Sequence, residues 1–138
     1  MPFTGNFTCD VFKSGVLDGN FDFGAGTTNV FKIALYTNAA TLDQDTAAYT
    51  TVGEVVATGY TAGGNVLSPT LSILDGTAFI TFTNTSWTSA LTARGALIYK
   101  VGGASVCVLD FGSDKISTTV FQVEFPAASN TSAIIRLS

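Results

Sequence analysis

The hexapeptide Val120-Phe121-Gln122-Val123-Glu124-Phe125 is the clearest indication of the fold of this chain. From Phe121 onward apolar and polar side chains alternate, and a period of two places every second residue on the same face of an extended strand. One face of the segment is therefore apolar and the other polar, which is typical of a strand that covers a hydrophobic core on one side. The segment predicts a half-buried β-strand.

Similar alternations and short apolar runs recur along most of the chain. Strands are predicted at 31–35, 54–58, 66–73, 77–83, 93–100, 105–111, 119–125 and 132–137. Turn-forming residues lie at 63–65, 75–76, 102–103 and 113–114, and Asp75-Gly76 predicts the tip of a two-residue hairpin. Short strands at this spacing predict an all-β fold, an antiparallel β-sandwich of either jelly-roll or immunoglobulin-like topology.

The run Ala96-Leu97-Ile98 is apolar at successive positions, so both faces of its strand are expected to be buried. This predicts a central position in a sheet for the strand that Arg94 and Lys100 flank. Arg94 has two interpretations, a surface ion pair or a contact with a neighbouring subunit, since arginine is enriched at interfaces.

The first 23 residues differ from the rest, because five phenylalanines crowd a segment with little strand character. A short helix is predicted from Phe7 to Leu17, with Thr8 as its N-cap and Asp18-Gly19 ending it. The aromatic rings either close one open end of the sandwich or form an arm that docks on another subunit. We find no linker or internal repeat, so residues 1–138 are predicted to form a single domain with 1–23 as a helix or arm.

Charge and residue types exclude several classes of function. The net charge is −4 and histidine is absent, which predicts no binding to nucleic acid and removes the Ser-His and Cys-His catalytic pairs. The oxygen-rich stretch 18–22 lacks the glycine and glutamate of an EF-hand calcium loop. We therefore expect a protein that is not an enzyme and that carries neither a metal nor another cofactor.

The first residues and the hydropathy pattern predict no secretion and no membrane partner. The segment Met1–Asn6 has neither a basic start nor an apolar run, and no apolar run in the chain approaches the roughly 18 residues of a membrane helix. Cys9 and Cys107 are accordingly predicted to be reduced and buried, with a disulfide or a reactive thiol as the alternatives.

Three longer stretches carry a resemblance to a known family. The first runs from Phe31-Lys32-Ile33-Ala34-Leu35-Tyr36-Thr37 through Ala47-Ala48-Tyr49-Thr50 and Gly53-Glu54-Val55 to Gly59-Tyr60-Thr61-Ala62-Gly63-Gly64. The others are Thr92-Ala93-Arg94-Gly95-Ala96-Leu97-Ile98-Tyr99-Lys100 and Val108-Leu109-Asp110-Phe111-Gly112-Ser113-Asp114-Lys115. Together they resemble small structural proteins of tailed bacteriophages and their prophages, from about Phe12 to the C-terminus.

The resemblance implies a virion protein made in the bacterial host cytoplasm. A capsid decoration (cement) protein on the outside of the head is expected, with the major capsid protein and copies of itself, arranged as a trimer, as its partners. The alternatives are a tail, baseplate or fibre-associated module that binds a receptor or glycan, and a lectin-like sandwich of the host. The candidate interface residues are Phe3, Phe7, Phe12, Phe21, Phe23, Trp87 and Arg94; Trp87 is either an interface anchor or a lid over the end of the core.

Overall fold

Antiparallel strand pairing organises this chain into three sheets, as described by a computed structural model for Phe3, residues 5–126, Ser129 and residues 133–137. One helix, α1 (Asp10–Asp18), accompanies the strands. The strands are β1 (Phe7–Thr8), β2 (Phe31–Tyr36), β3 (Asn65–Leu67), β4 (Pro69–Leu74), β5 (Thr77–Phe82), β6 (Thr85–Trp87), β7 (Thr92–Lys100), β8 (Ser105–Ile116), β9 (Phe121–Val123) and β10 (Ile135–Leu137). The predicted all-β, sandwich-like fold is confirmed.

The largest sheet has the order β1-β8-β7-β2-β3, with β7 at its centre. Ala96, Leu97 and Ile98 are completely buried, as the apolar run predicts. β7 pairs with β2 on one side and with β8 on the other. The central position predicted for this strand is confirmed.

The remaining strands form two smaller sheets, β10-β5-β4 and β6-β9. The β4–β5 hairpin turns at Asp75 and Gly76, whose φ angles are 51° and 78°. Positive φ at both central residues is the backbone of a type I′ turn, so the predicted two-residue hairpin is confirmed. The described strands group into sheets of five, three and two strands.

Three sequence predictions on strands need correction. Residues 54–58 form no strand; Glu54 makes only an isolated bridge to Tyr36. The predicted strand 66–73 is divided, because β3 pairs with β2 and β4 pairs with β5 in a different sheet. The strand β6 was not predicted, since its Thr85-Ser86-Trp87 sequence is largely polar and gains its order from pairing with the distant β9.

A bulge-like irregularity in the β7–β8 pairing, which we call the bulge, replaces the turn predicted at 113–114. β8 continues to Ile116, and the β7–β8 register moves from Gly95 opposite Asp110 to Ala93 opposite Lys115. The segment 111–114 therefore lies opposite Arg94 alone, and Gly112 adopts a φ of 83°. A bulge of this size bends the strand without ending it.

The helix begins later than predicted. Phe7 and Thr8 pair with β8 and cannot belong to the helix, so Cys9, not Thr8, is the N-cap, and no side chain caps the helix. The Cys9 carbonyl accepts the N–H groups of Phe12 and Lys13. Gly19 ends the helix with a φ of 78°, a left-handed C-cap that glycine adopts without steric cost. No helix in the described ranges is long and apolar enough to cross a membrane.

The two other C-terminal predictions are confirmed in part. The strand predicted at 119–125 is ordered as Phe121–Val123, with Phe121 and Val123 buried and Gln122 exposed, as the alternation requires. The strand predicted at 132–137 is present as Ile135–Leu137, while Ser132 lies outside the described residues.

Candidate interaction surface

The phenylalanines of the N-terminal segment pack inside the chain. Phe12 and Phe23 are buried, and the Phe23 ring stacks on Phe31 at a centroid distance of 4.4 Å. The Phe21 ring meets the edge of Phe12 at 4.9 Å, and Phe23 also reaches Phe82 at 6.3 Å. This packing corresponds to closure of one end of the sandwich. An interface role for these rings stays a prediction.

Phe7 lies at the edge of the five-stranded sheet, where it is only half-buried. It pairs with Val108 in the two-residue strand β1, and the following Cys9 N–H donates to the Val106 carbonyl at 3.0 Å. Backbone pairing therefore attaches the N-terminal segment to β8 before the helix begins. The register places Cys9 opposite Val106 and Thr8 opposite Cys107, so the two cysteine side chains belong to opposite faces and both remain free thiols.

Arg94 lies in the interior rather than on the surface. Its guanidinium forms an ion pair with Asp110, and the two side chains are only 5% and 12% exposed. The guanidinium also lies 5.7 Å from the centre of the Phe3 ring. Asn6 accepts the Asp110 N–H at 2.6 Å, which ties the N-terminal segment to the same place. The Arg94 guanidinium is thus paired within the chain, through Nη1 to Asp110.

The Asp110 carboxylate is stabilised in its charged form. Burial alone raises its pKa, but the hydrogen bond from the Gly112 N–H and the bond and charge of Arg94 outweigh burial and hold the pKa below its ordinary value. The Gly112 N–H donates at 2.8 Å across the bulge. The ion pair therefore fixes the bulge and the N-terminal segment together.

Trp87 occupies the position of a lid over the core. Its side chain is buried, with Phe121 at 6.3 Å and Tyr60 at 5.9 Å between ring centroids. The indole N–H has no hydrogen-bond partner among the described residues. This placement matches the lid interpretation, and a role as an interface anchor stays a prediction.

A buried carboxylate, Glu54, forms a polar centre that the sequence did not reveal. It accepts the Tyr49 hydroxyl at 2.5 Å, the Tyr60 hydroxyl at 2.6 Å and the Gly63 N–H at 2.8 Å. Tyr60 in turn accepts the Leu35 N–H at 2.9 Å. A buried charge is tolerated when such donors compensate for the lost water. The centre therefore holds the long connection between β2 and β3 against the central sheet.

The tyrosines around Glu54 are held in the neutral form. Tyr99 stacks on Tyr49 at 4.8 Å and donates its hydroxyl to the Gly63 carbonyl at 2.7 Å. Burial and the Glu54 charge raise the pKa of Tyr99 to about 12, and burial with the Glu54 hydrogen bond raises the pKa of Tyr60 as well. Both Glu54 oxygens accept hydrogen bonds from donors within the chain, and these bonds join Tyr49, Tyr60 and Gly63.

The acidic stretch at 18–22 forms a polar turn. Asp22 accepts the Gly24 N–H at 2.8 Å, and Asn29 accepts the Asp22 N–H at 3.0 Å. Across the described ranges, no group of three or more potential metal ligands comes together.

The sheet β10-β5-β4 has an exposed apolar face, which we call the overhang. Its exposed members are Leu71 and Ile73 of β4 and Leu137 of β10, at 51%, 73% and 64% exposure. The register puts them on one face with the buried Ile80, because Leu71 pairs with Ile80, Ile73 with Ala78 and Leu137 with Ala78. At the Phe82 end this face is covered by the Phe23 ring, and the end near the hairpin turn is not covered by it.

A groove of about 680 Å³ separates the overhang from helix α1. The helix contributes Phe12, Val16 and Leu17 to the groove, and Leu17 is 89% exposed. Between Glu54 and Arg94 the sequence has a single charged residue, Asp75, so no charge of β4 or β5 lies on the apolar face. Lys13, Asp22 and Arg136 also line the groove. An exposed apolar patch with polar residues around it indicates an interaction site.

Comparison with known protein families, curated proteins and solved structures gives no match for this chain. The exposed overhang and the sequence resemblance are therefore the observations that bear on its function.

Proposed function

We propose that this chain is a non-enzymatic structural protein of a tailed-phage virion, a capsid decoration protein that binds the major capsid protein on the outside of the head. The exposed apolar overhang is the observation on which this proposal depends. Leu71, Ile73 and Leu137 give it a surface that gains free energy when a partner covers it. The sequence resemblance to phage structural proteins supplies the class of partner.

The electrostatic character of the chain fits an external position on the head. A net charge of −4 repels the phosphates of packaged DNA and leaves adhesion to apolar contacts. The polar centre at Glu54 and the ion pair at Arg94 are both used to hold the fold together. Such a protein binds the head through its apolar surface, with many copies on one particle.

Binding to stripped heads tests the proposal. Heads of the phage or prophage that encodes this chain are freed of their native copies, and purified chain is added back at low and at high salt. Because apolar burial and not charge dominates the contact, cosedimentation should survive high salt. Binding that disappears at high salt would contradict an apolar contact, and chain that ignores heads would contradict the proposed site on the capsid.

Copy number separates the head from the tail. Quantitative mass spectrometry of intact virions should give hundreds of copies for a decoration protein and about a dozen or fewer for a tail, baseplate or fibre module. A low copy number, together with labelling of tails or of host cells by the purified chain, would replace the proposal by a receptor- or glycan-binding role.

A further inference from the structure

We propose that two copies of this chain associate through the free edge of β4, so that the β10-β5-β4 sheets of both copies become one continuous antiparallel sheet. This inference differs from the trimer that the resemblance implies, because a single self-complementary edge closes with two copies. It depends on the geometry of the hairpin and not on a position in the head or tail.

The backbone groups of Leu71 and Ile73 point away from the hairpin. In a two-residue hairpin the residues flanking the turn, Leu74 and Thr77, form a hydrogen-bonded pair, and bonded and non-bonded pairs then alternate. Ser72 therefore bonds to β5, while the N–H and C=O groups of Leu71 and Ile73 face the open side. Within the described ranges no strand pairs with that side.

The β4 edge lacks the features that normally prevent edge-to-edge pairing. Such edges are usually short, charged or interrupted by a bulge or proline. β4 has six residues paired regularly with β5, carries no charge, and has its proline only at the first position, Pro69. Nothing in the sequence of β4 opposes the addition of another strand.

A second copy fits this edge better than a charged partner does. Two-fold pairing places β4 against itself, and an uncharged strand meets no like-charge repulsion in that arrangement. Leu71, Ile73 and Leu137 of both copies would lie on one face of the joined sheet, doubling the apolar overhang. Edge pairing covers only one strand edge of each copy and leaves the apolar face exposed, so the buried area stays well below the roughly 800 Å² per partner of a standard interface. A concentration-dependent dimer is therefore expected.

The chemistry of the edge selects one register. The two β4 strands could pair with different residues at the two-fold axis. If Leu71 lay opposite Leu71 of the other copy, Ile73 would pair with Pro69, which has no N–H to donate. A ladder centred on Ile73 would pair Leu71 with Asp75, whose φ of 51° is not extended. Centring on Ser72 pairs Leu71 of one copy with Ile73 of the other and satisfies the outward N–H and C=O groups of both. Ser72 then faces Ser72 across the two-fold axis.

A cysteine at Ser72 tests both the edge and the register. Directly opposed residues of a non-hydrogen-bonded pair have Cα atoms about 4.5 Å apart, within disulfide range. Ser72→Cys should therefore give a covalent dimer on mild oxidation, whereas Thr70→Cys, which would face Leu74, should not. The native thiols do not interfere, since both are buried and burial raises the pKa of Cys9 to about 11.

Sedimentation equilibrium gives an independent measurement. Ser72 is exposed, so Ser72→Lys should leave the monomer folded while placing like charges together, and should weaken dimerisation at least about tenfold. Val56→Lys, at a valine that is 97% exposed elsewhere, is the matched control and should dimerise like the parent chain.

Two results would overturn the inference: parent chain that stays monomeric at high concentration with no Ser72→Cys crosslink, or equal crosslinking of Ser72→Cys and Thr70→Cys. A chain that crosslinks through Ser72→Cys but ignores phage heads would contradict the proposed function and support this dimer.

Discussion

Strands β7 and β4 both present apolar side chains, yet they lie in opposite surroundings. β7 is the centre of the five-stranded sheet, with Leu97 and Ile98 completely buried. β4 is the edge of the three-stranded sheet, and Ile73 is 73% exposed. Apolar character therefore decides whether a segment becomes a strand but not how deeply it is buried; the neighbours that pair with it decide that. An apolar strand that no neighbour covers is the signature of an interaction surface.

Removal of residues 1–23 is expected to have the largest effect, because it takes away part of the core that contains β7. Phe12 and Phe23 belong to the same core cluster as β7, and the Phe3 ring lies against Arg94. The shortened chain should fail to fold, with loss of the cooperative transition in urea and of near-ultraviolet circular dichroism. A shortened chain that unfolds cooperatively would show that the segment is a separable arm.

Leu97→Ala should be the most damaging single substitution in β7. The side chain is completely buried, and deleting it leaves a cavity in a sheet that is packed on both faces. A loss of about 3–5 kcal/mol in the free energy of unfolding is expected. Urea denaturation measures it. A loss below about 1 kcal/mol would show that the centre of the sheet can collapse around the cavity.

Arg94→Met should cost about 3 kcal/mol at neutral pH, because it leaves Asp110 buried without its cation. The Asp110 pKa is lowered in the folded chain, so this carboxylate contributes stability above its unfolded pKa near 3.8, and the contribution is lost as pH falls through the folded value. The stability difference between parent and Arg94→Met should therefore shrink as pH falls below about 4. The double variant Arg94→Met, Asp110→Asn is the control. Its loss of free energy of unfolding relative to the parent should depend less on pH.

Much of the fold was predictable because its signals are local. The apolar run at 96–98 predicted the central strand, and Asp75-Gly76 predicted the hairpin turn. The passage of the chain from one sheet to another between Leu67 and Pro69 was not predictable, because it depends on β2 and β5, which are distant in sequence.

The candidate surface was less predictable than the fold. Bulky aromatic residues and Arg94 suggested an interface, but such side chains are equally suited to a core, and the structure buries Phe3, Phe12, Phe23, Trp87 and Arg94. The better indication lay in β4, where Leu71 and Ile73 alternate with Thr70 and Ser72. Alternation predicts an apolar face, and only the tertiary structure shows that no part of the described chain covers its far end.

Ile73→Ala should have the smallest effect on the stability of the monomer and so gives the sharpest contrast with Leu97→Ala. Its side chain is mostly exposed, and the backbone bonds between β4 and β5 do not depend on it. At dilute concentration the free energy of unfolding should change by less than about 0.5 kcal/mol. At high concentration the same variant should dimerise more weakly than the parent, because Ile73 of each copy faces Leu71 of the other across the joined edge and both contacts are reduced. A monomer destabilised as strongly as by Leu97→Ala would show that Ile73 belongs to the core, and the distinction between the central strand and the free edge would then be wrong.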